Sequence, residues 1–468
     1  MAETDWDWGP EELRAHGHRM VDLLVEHLST LPEQPVFRPY PRALAQERLS
    51  APLPELGRPA GELFDELAGT VLPWPFGNGH PRWAGWVNGP PSPVAVLADA
   101  LAAAMNPSVA GGNHAATYVE KQVVRWLGEL LGLPGWGGLL VSGGSAATVH
   151  ALAAARHRAT AGAVRQSGLD QSTAPLTVYA SDQTHSAVAK AVELLGLGAA
   201  ALRVLPADRD RRLPVAALAS ALASDRARGA RPMAVVASAG TVNTGAIDPL
   251  AEIGSLCAAE RVWLHVDGAY GAPAVLDPRH AAALAPMAAA DSVAVDAHKW
   301  LSVPYEAGAV LVRDEETLRA AFSRVAAYLA EDSDPDGVTW LPWFSEYGSQ
   351  QTRGFRALKV WAALAHHGRS GYATTIGHDL DLAERLAATV DRSPLLTLVS
   401  TGLSVVTFRS RASDDREVLR RVQLGGEAFL TGTALDGGFV LRACITNPRM
   451  RAEDVDRIVA AVEAAARP

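Results

Sequence analysis

The chain has 468 residues, 48% of them hydrophobic and 20% charged, enough for two or three domains or one large α/β domain with appendages, and unlike a disordered chain. A net charge of −9 excludes the basic footprint of a nucleic-acid or anionic-membrane partner and leaves a small molecule as the expected ligand. The two cysteines, Cys257 and Cys444, match neither a disulfide framework nor a zinc motif, the first residues are acidic, and no apolar run nears the roughly 20 residues of a membrane span, so the expected compartment is the cytoplasm.

Residues 11–31 place Leu13, Met20, Leu23, Leu24 and Leu28 near helical spacing, and 62–72 repeats the amphipathic habit after a Pro-rich connection. A helical arm of residues 1–90 encloses too little volume for a good core of its own, so its apolar face is expected to pack on another subunit or on the main domain. From residue 91 short apolar runs alternate with helical stretches, at 137–141, 176–180, 201–205, 233–237, 262–266, 292–296 and 309–312. Strands buried on both faces read this way, and their alternation with helices predicts a mostly parallel, doubly wound α/β sheet over 91–358, with its ligand beyond the carboxyl ends of the strands. A long helical stretch, strand-like runs at 396–399, 403–408 and 439–443, and a helix over 452–465 predict a small α+β domain over 359–468.

Among 42 basic residues only Lys121, Lys190, Lys299 and Lys359 are lysine. Arginine replaces lysine on a wetted surface but forms no Schiff base, so a lysine retained for chemistry is sought among these four. Lys121, Lys190 and Lys359 fall inside helical patterns and read as solvated. Lys299, in Val295-Asp-Ala-His-Lys-Trp300, directly follows a buried strand at the edge where an α/β fold builds its site.

Asp267 ends another strand in His265-Val-Asp-Gly-Ala-Tyr270. It pairs with a pyridine nitrogen, caps the next turn or joins His265 in half a metal site; the spacing leaves these open, although no third metal ligand is suitably spaced. In Val141-Ser-Gly-Gly-Ser-Ala146 a strand meets a helix, and Gly144 and Ser145 there let a phosphate reach backbone N–H groups. The stretch is neither a P-loop nor a dinucleotide fingerprint nor a serine elbow. His185 after run 176–180 is either a stacking ring or a polar turn residue, and Thr241 follows run 233–237 in a turn-rich loop. Together these strand ends offer every group that pyridoxal 5'-phosphate requires, on one edge of one sheet.

With His80-Pro-Arg-Trp83, Ser142-Gly-Gly-Ser-Ala-Ala-Thr148, Ser181-Asp-Gln-Thr-His185, Asp296-Ala-His-Lys-Trp300 and Arg353-Gly-Phe-Arg-Ala-Leu-Lys-Val-Trp361 in order, nearly the whole chain resembles the group II pyridoxal-phosphate-dependent decarboxylases of the aromatic-L-amino-acid decarboxylase type. The resemblance implies the type I PLP-dependent transferase (aspartate aminotransferase-like) fold, a homodimer with its active site at the interface, and conversion of an aromatic or aromatic-like L-amino acid to its amine and carbon dioxide. It implies that Lys299 carries the cofactor as a Schiff base, that Asp267 pairs with the ring nitrogen, and that His185 and Ala269 cover the two ring faces. Gly144, Ser145, Asp296 and His298 would hold the phosphate, with Thr241 near the ring substituents or the phosphate. Tyr328, in Ala326-Ala-Tyr-Leu329, matches a mobile-loop tyrosine associated with reprotonation, and the polar stretch 331–337 matches a closing lid. Trp86 and Val87 match the side-chain pocket, Trp86 reading equally as a core tryptophan, and the small Ser108 and Ala110 imply a larger or more polar aromatic substrate. Aldehyde formation, transamination or racemisation from the same carbanion and a non-aromatic substrate are the alternatives, separated by product identity.

Overall fold

Seven strands form the central sheet in the computed structural model, which describes residues 7–169, 174–324, 337–338 and 343–467. They are β1 (Gly137–Val141), β2 (Leu176–Ser181), β3 (Leu202–Leu205), β4 (Arg231–Ser238), β5 (Trp263–Asp267), β6 (Ser292–Asp296) and β7 (Gly308–Val312). Their order across the sheet is β1-β7-β6-β5-β4-β2-β3. β7 runs antiparallel to both neighbours and the remaining pairs are parallel, so the sheet is mixed but mostly parallel, as expected. β2, β6 and β7 are buried along their whole length, which is why they read as unbroken apolar runs rather than alternating ones. Helix Gly144–Ala159 lies against β4 to β7, and its buried Ala147, Ala151, Ala154 and Ala155 let the backbone approach the strands closely.

A second sheet of β8 (Leu396–Gly402), β9 (Val405–Ser410), β10 (Thr431–Leu435) and β11 (Gly438–Cys444) is antiparallel in the order β10-β11-β9-β8. β10 is an addition to the sequence reading: an edge strand of Thr and Gly, partly exposed, joined to β11 through Asp436 and Gly437, both at positive φ. The apolar cores of the two sheets meet inside one long helix, Ala357–Arg392. Its residues up to Leu380 pack in the large core and those from Leu382 pack in the small one, after a break at Gly368 (φ 63°).

The amino-terminal arm divides its allegiance. Val36 and Trp83 cluster with Phe429, and Ala84 enters the apolar core beside the second sheet through Ala84 N–H to Phe429 O (2.9 Å) and Cys444 N–H to Ala84 O (2.9 Å). Helices Pro10–Thr30 and Ala60–Thr70 touch each other but leave Leu13, Met20, Val21, Val25, Leu63 and Leu67 exposed.

Candidate active site

β5 and β6 are parallel neighbours that end in carboxylates, Asp267 and Asp296, and the turn after β6 carries His298 and Lys299. Lys299 Nζ lies 2.9 Å from Asp296 Oδ2. Burial alone pulls the ammonium pKa down, but the charges of Asp296 and Asp267 outweigh it and hold Lys299 above the ordinary lysine value. Asp296 Oδ2 also sits 3.6 Å from His298 Nε2, while its Oδ1 is buried with no hydrogen-bond partner among the described residues.

The glycine loop after β1 presses against this cluster. A Cβ on Gly143 would lie 3.2 Å from His298 Cε1, and one on Gly144 would lie 2.8 Å from the Ala269 methyl and 3.2 Å from Asp296 Oδ2. Helix Gly144–Ala159 starts there, with Ser145 exposed in its first turn, so free N–H donors stand beside Ala269, Asp296 and His298. The Ala307 N–H donates to His298 Nδ1 (3.1 Å), which puts the proton of the neutral ring on Nε2. Burial, only partly opposed by Asp296, holds the His298 pKa below its usual value. The Ala187 N–H likewise donates to Nδ1 of the exposed His185 (3.1 Å). Thr241 is buried, and its hydroxyl is engaged with Thr244 Oγ1 (3.0 Å) and the Ala246 N–H (3.1 Å).

These groups open onto a cleft of about 450 Å³ lined by His185, Thr241, Asp267, Ala269, His298 and Lys299 together with Trp86 and Val87. Trp86 is 45% exposed and stacks on Phe76 (5.4 Å, 11°). Its neighbour Trp83 is the core tryptophan, stacked on Phe429 at 4.2 Å. Phe76, Asn88, Ser238, Gly240, Val242, Tyr270 and Tyr305 also line the cleft, none of them singled out from sequence. Nor was the buried Arg442, whose Nε and Nη1 donate to the carbonyls of Val242 (2.7 Å) and Trp86 (3.0 Å) and so pin two lining segments together.

Ser108 and Ala110 do not line this cleft. Their segment is held elsewhere, by Val109 N–H to Arg353 O (2.8 Å) and Ser345 N–H to Ala110 O (2.8 Å). Tyr328 and residues 331–336 lie outside the described residues. One expectation needs correcting: Lys359 is not solvated but buried, paired to Asp99 (3.1 Å) and donating to the Tyr305 carbonyl (3.0 Å). Both partners are remote in sequence, so the helical pattern gave no hint of them.

The family model of the pyridoxal-dependent decarboxylase conserved domain matches residues 49–411. The aromatic-L-amino-acid decarboxylase of Bacillus atrophaeus is 34% identical over 97% of this chain and 96% of its own length. The phenylacetaldehyde synthase of Arabidopsis thaliana is 28% identical over 94% of this chain and 92% of its own. The crystal structure of Oryza sativa TDC with PLP and tryptamine superposes with a TM-score of 0.89 at 26% identity, covering 98% of this chain and 99% of that one. The residues of the cleft and its glycine loop fit pyridoxal phosphate: an amine for its aldehyde, a carboxylate for its ring nitrogen and a glycine-lined helix start for its phosphate. The fold is that of type I pyridoxal-phosphate enzymes. With a family model spanning most of its length and a relative aligned almost end to end, this chain belongs to the pyridoxal-dependent decarboxylases and is a pyridoxal-phosphate-dependent amino acid decarboxylase.

Proposed function

We propose that the chain converts an aromatic L-amino acid to its amine and carbon dioxide, as a homodimer in the cytoplasm. The observation that carries this reading is the Trp86–Phe76 stack lining the same cleft as Lys299 and Asp267. The Bacillus relative, named for aromatic L-amino acids, supports it.

When bound, pyridoxal phosphate supplies the electron sink that accepts the pair left on Cα as the carboxylate departs. Lys299 would hold it by the aldehyde carbon, Asp267 would keep a proton on the ring nitrogen, and His185 and Ala269 would flank the ring. The N–H groups of Gly144 and Ser145 and the Nε2–H of His298 would face the phosphate, Asp296 would orient Lys299 and His298 through Oδ2, and Thr241 would border the ring. As a free ammonium Lys299 is no nucleophile; a cation at Asp267 offsets one of the two charges that hold its proton, which favours the reactive amine. Trp86 and Val87 would bound the substrate side chain, and Tyr328 would deliver a proton to Cα.

The exposed leucines and valines of the two amino-terminal helices support a second copy of the chain as their cover. The distance of Ser108 and Ala110 from their own cleft is consistent with their serving the partner's. Two buried thiols without a disulfide fit a reducing compartment, and among the described residues no helix is long and apolar enough to cross a membrane.

Incubating the cofactor-loaded protein with aromatic, acidic, basic and small L-amino acids, with products identified by mass spectrometry, tests the proposal. An amine from the aromatic members alone supports it. An aldehyde would reassign the reaction to that of the Arabidopsis relative's name, and an amine only from acidic or basic members would overturn the substrate class.

A further inference from the structure

Beside the Trp86–Phe76 stack the cleft carries a polar pair that nothing in the cofactor chemistry uses. Asn88, two residues beyond Trp86, donates from Nδ2 to the Tyr305 hydroxyl oxygen at 2.5 Å, and both side chains line the cleft. The pair is held from behind. Tyr305 packs its ring against His298 (centroids 4.7 Å apart), its carbonyl accepts from the buried Lys359, and Asn78 Nδ2 donates to the carbonyl of Gly89 (3.1 Å), next to Asn88.

The Asn88–Tyr305 bond spends one amide hydrogen and one phenol lone pair. The hydrogen of the Tyr305 hydroxyl and the Oδ1 of Asn88 have no partner among the described residues, so one donor and one acceptor sit side by side at the cleft wall. Burial pushes the Tyr305 phenol pKa up, against the pull of the Lys299 charge, which keeps the hydroxyl protonated and able to donate at neutral pH. A side chain matching this wall both accepts and donates one hydrogen bond. A hydroxyl on an aromatic ring does so, and a bare phenyl ring leaves both groups unpaired in a cleft that it has partly dried.

We propose that Asn88 and Tyr305 are a specificity-determining pair that selects aromatic L-amino acids bearing a ring hydroxyl over those without one. This rests on the aromatic decarboxylation proposed above. The test compares tyrosine with phenylalanine as substrates, and tyramine with phenethylamine as ligands by calorimetry, for the cofactor-loaded wild type, Tyr305→Phe and Asn88→Ala. Thermal unfolding of each variant confirms that it is folded. Wild type is expected to favour the hydroxylated member of each pair, and each substitution to cut the tyrosine-to-phenylalanine ratio of kcat/KM by about tenfold or more, with the phenethylamine-to-tyramine ratio of Kd values falling in step. If both amino acids are turned over but neither variant moves either ratio, the pair is not a selector and the proposed function stands without it. If the wild type decarboxylates neither but makes an amine from an aromatic amino acid without a ring hydroxyl, this inference falls and the proposed function stands; if it decarboxylates no aromatic amino acid, both fall.

Discussion

Two buried clusters of acid and base lie against the central sheet, and they face different surroundings. Glu120 and Arg353, almost wholly buried, form a two-toothed ion pair (2.5 and 3.0 Å), and Arg353 also donates to the carbonyls of Val109 (2.9 Å) and Leu140 (2.6 Å), while Glu120 accepts the Leu140 N–H (3.1 Å). Only Arg353 Nε lacks a partner there among the described residues. At the strand ends, Asp296 spends Oδ2 on Lys299 and His298 and leaves Oδ1 without a partner among the described residues, and it is Lys299 and His298 that line the cleft. The first cluster ties β1 to distant segments and puts no residue on the cleft; the second presents Lys299 and His298 to it. Access to a cleft, rather than buried charge as such, marks the site.

That contrast breaks if the wrong cluster controls the wrong property. Lys299→Ala is expected to remove turnover altogether while shifting Tm less than removal of either single partner of the other cluster, measured by product assay and thermal unfolding. Glu120→Ala strands a buried guanidinium and should cost about 3–5 kcal/mol of stability, whereas replacing Glu120 and Arg353 together by apolar residues should recover most of it in denaturant titrations. Asp296→Asn removes a charge that raises the Lys299 pKa, so the acid limb of the pH dependence of cofactor binding should move to lower pH.

A third buried acid makes stability depend on pH. Asp379 accepts from Trp300 Nε1 (2.8 Å), leaves Oδ1 without a partner among the described residues, and has its pKa pushed up by burial to about 8. A carboxyl protonated when folded contributes stability that is full below the ordinary aspartate pKa of about 4 and is lost as pH rises through 8. Asp379→Asn keeps an acceptor for Trp300 and should flatten the fall of Tm over that window.

What the sequence revealed follows the same division between local and remote causes. Strands buried on both faces announce themselves as apolar runs, and residues placed by a strand end, such as Lys299, Asp267 and the glycine loop, inherit that legibility. β10 escaped because its Thr-Gly-Thr pattern is that of a half-wet edge, although the Asp436-Gly437 hairpin turn was an available signal. Phe76, Asn88 and Tyr305 escaped for a different reason. They come from irregular segments, with Tyr305 217 residues beyond Asn88, and only the packing of the amino-terminal segment against the strand ends brings them to one cleft.

The central claim is that Lys299 alone among the four lysines carries the cofactor. Borohydride reduction of the cofactor-loaded protein fixes a Schiff base as a stable secondary amine, and peptide mass spectrometry then locates it. The structure predicts the pyridoxyl group on Lys299, flanked by His298 and Trp300, with Lys121, Lys190 and Lys359 unmodified. A reduced adduct on any of those three, or none on Lys299, would contradict it.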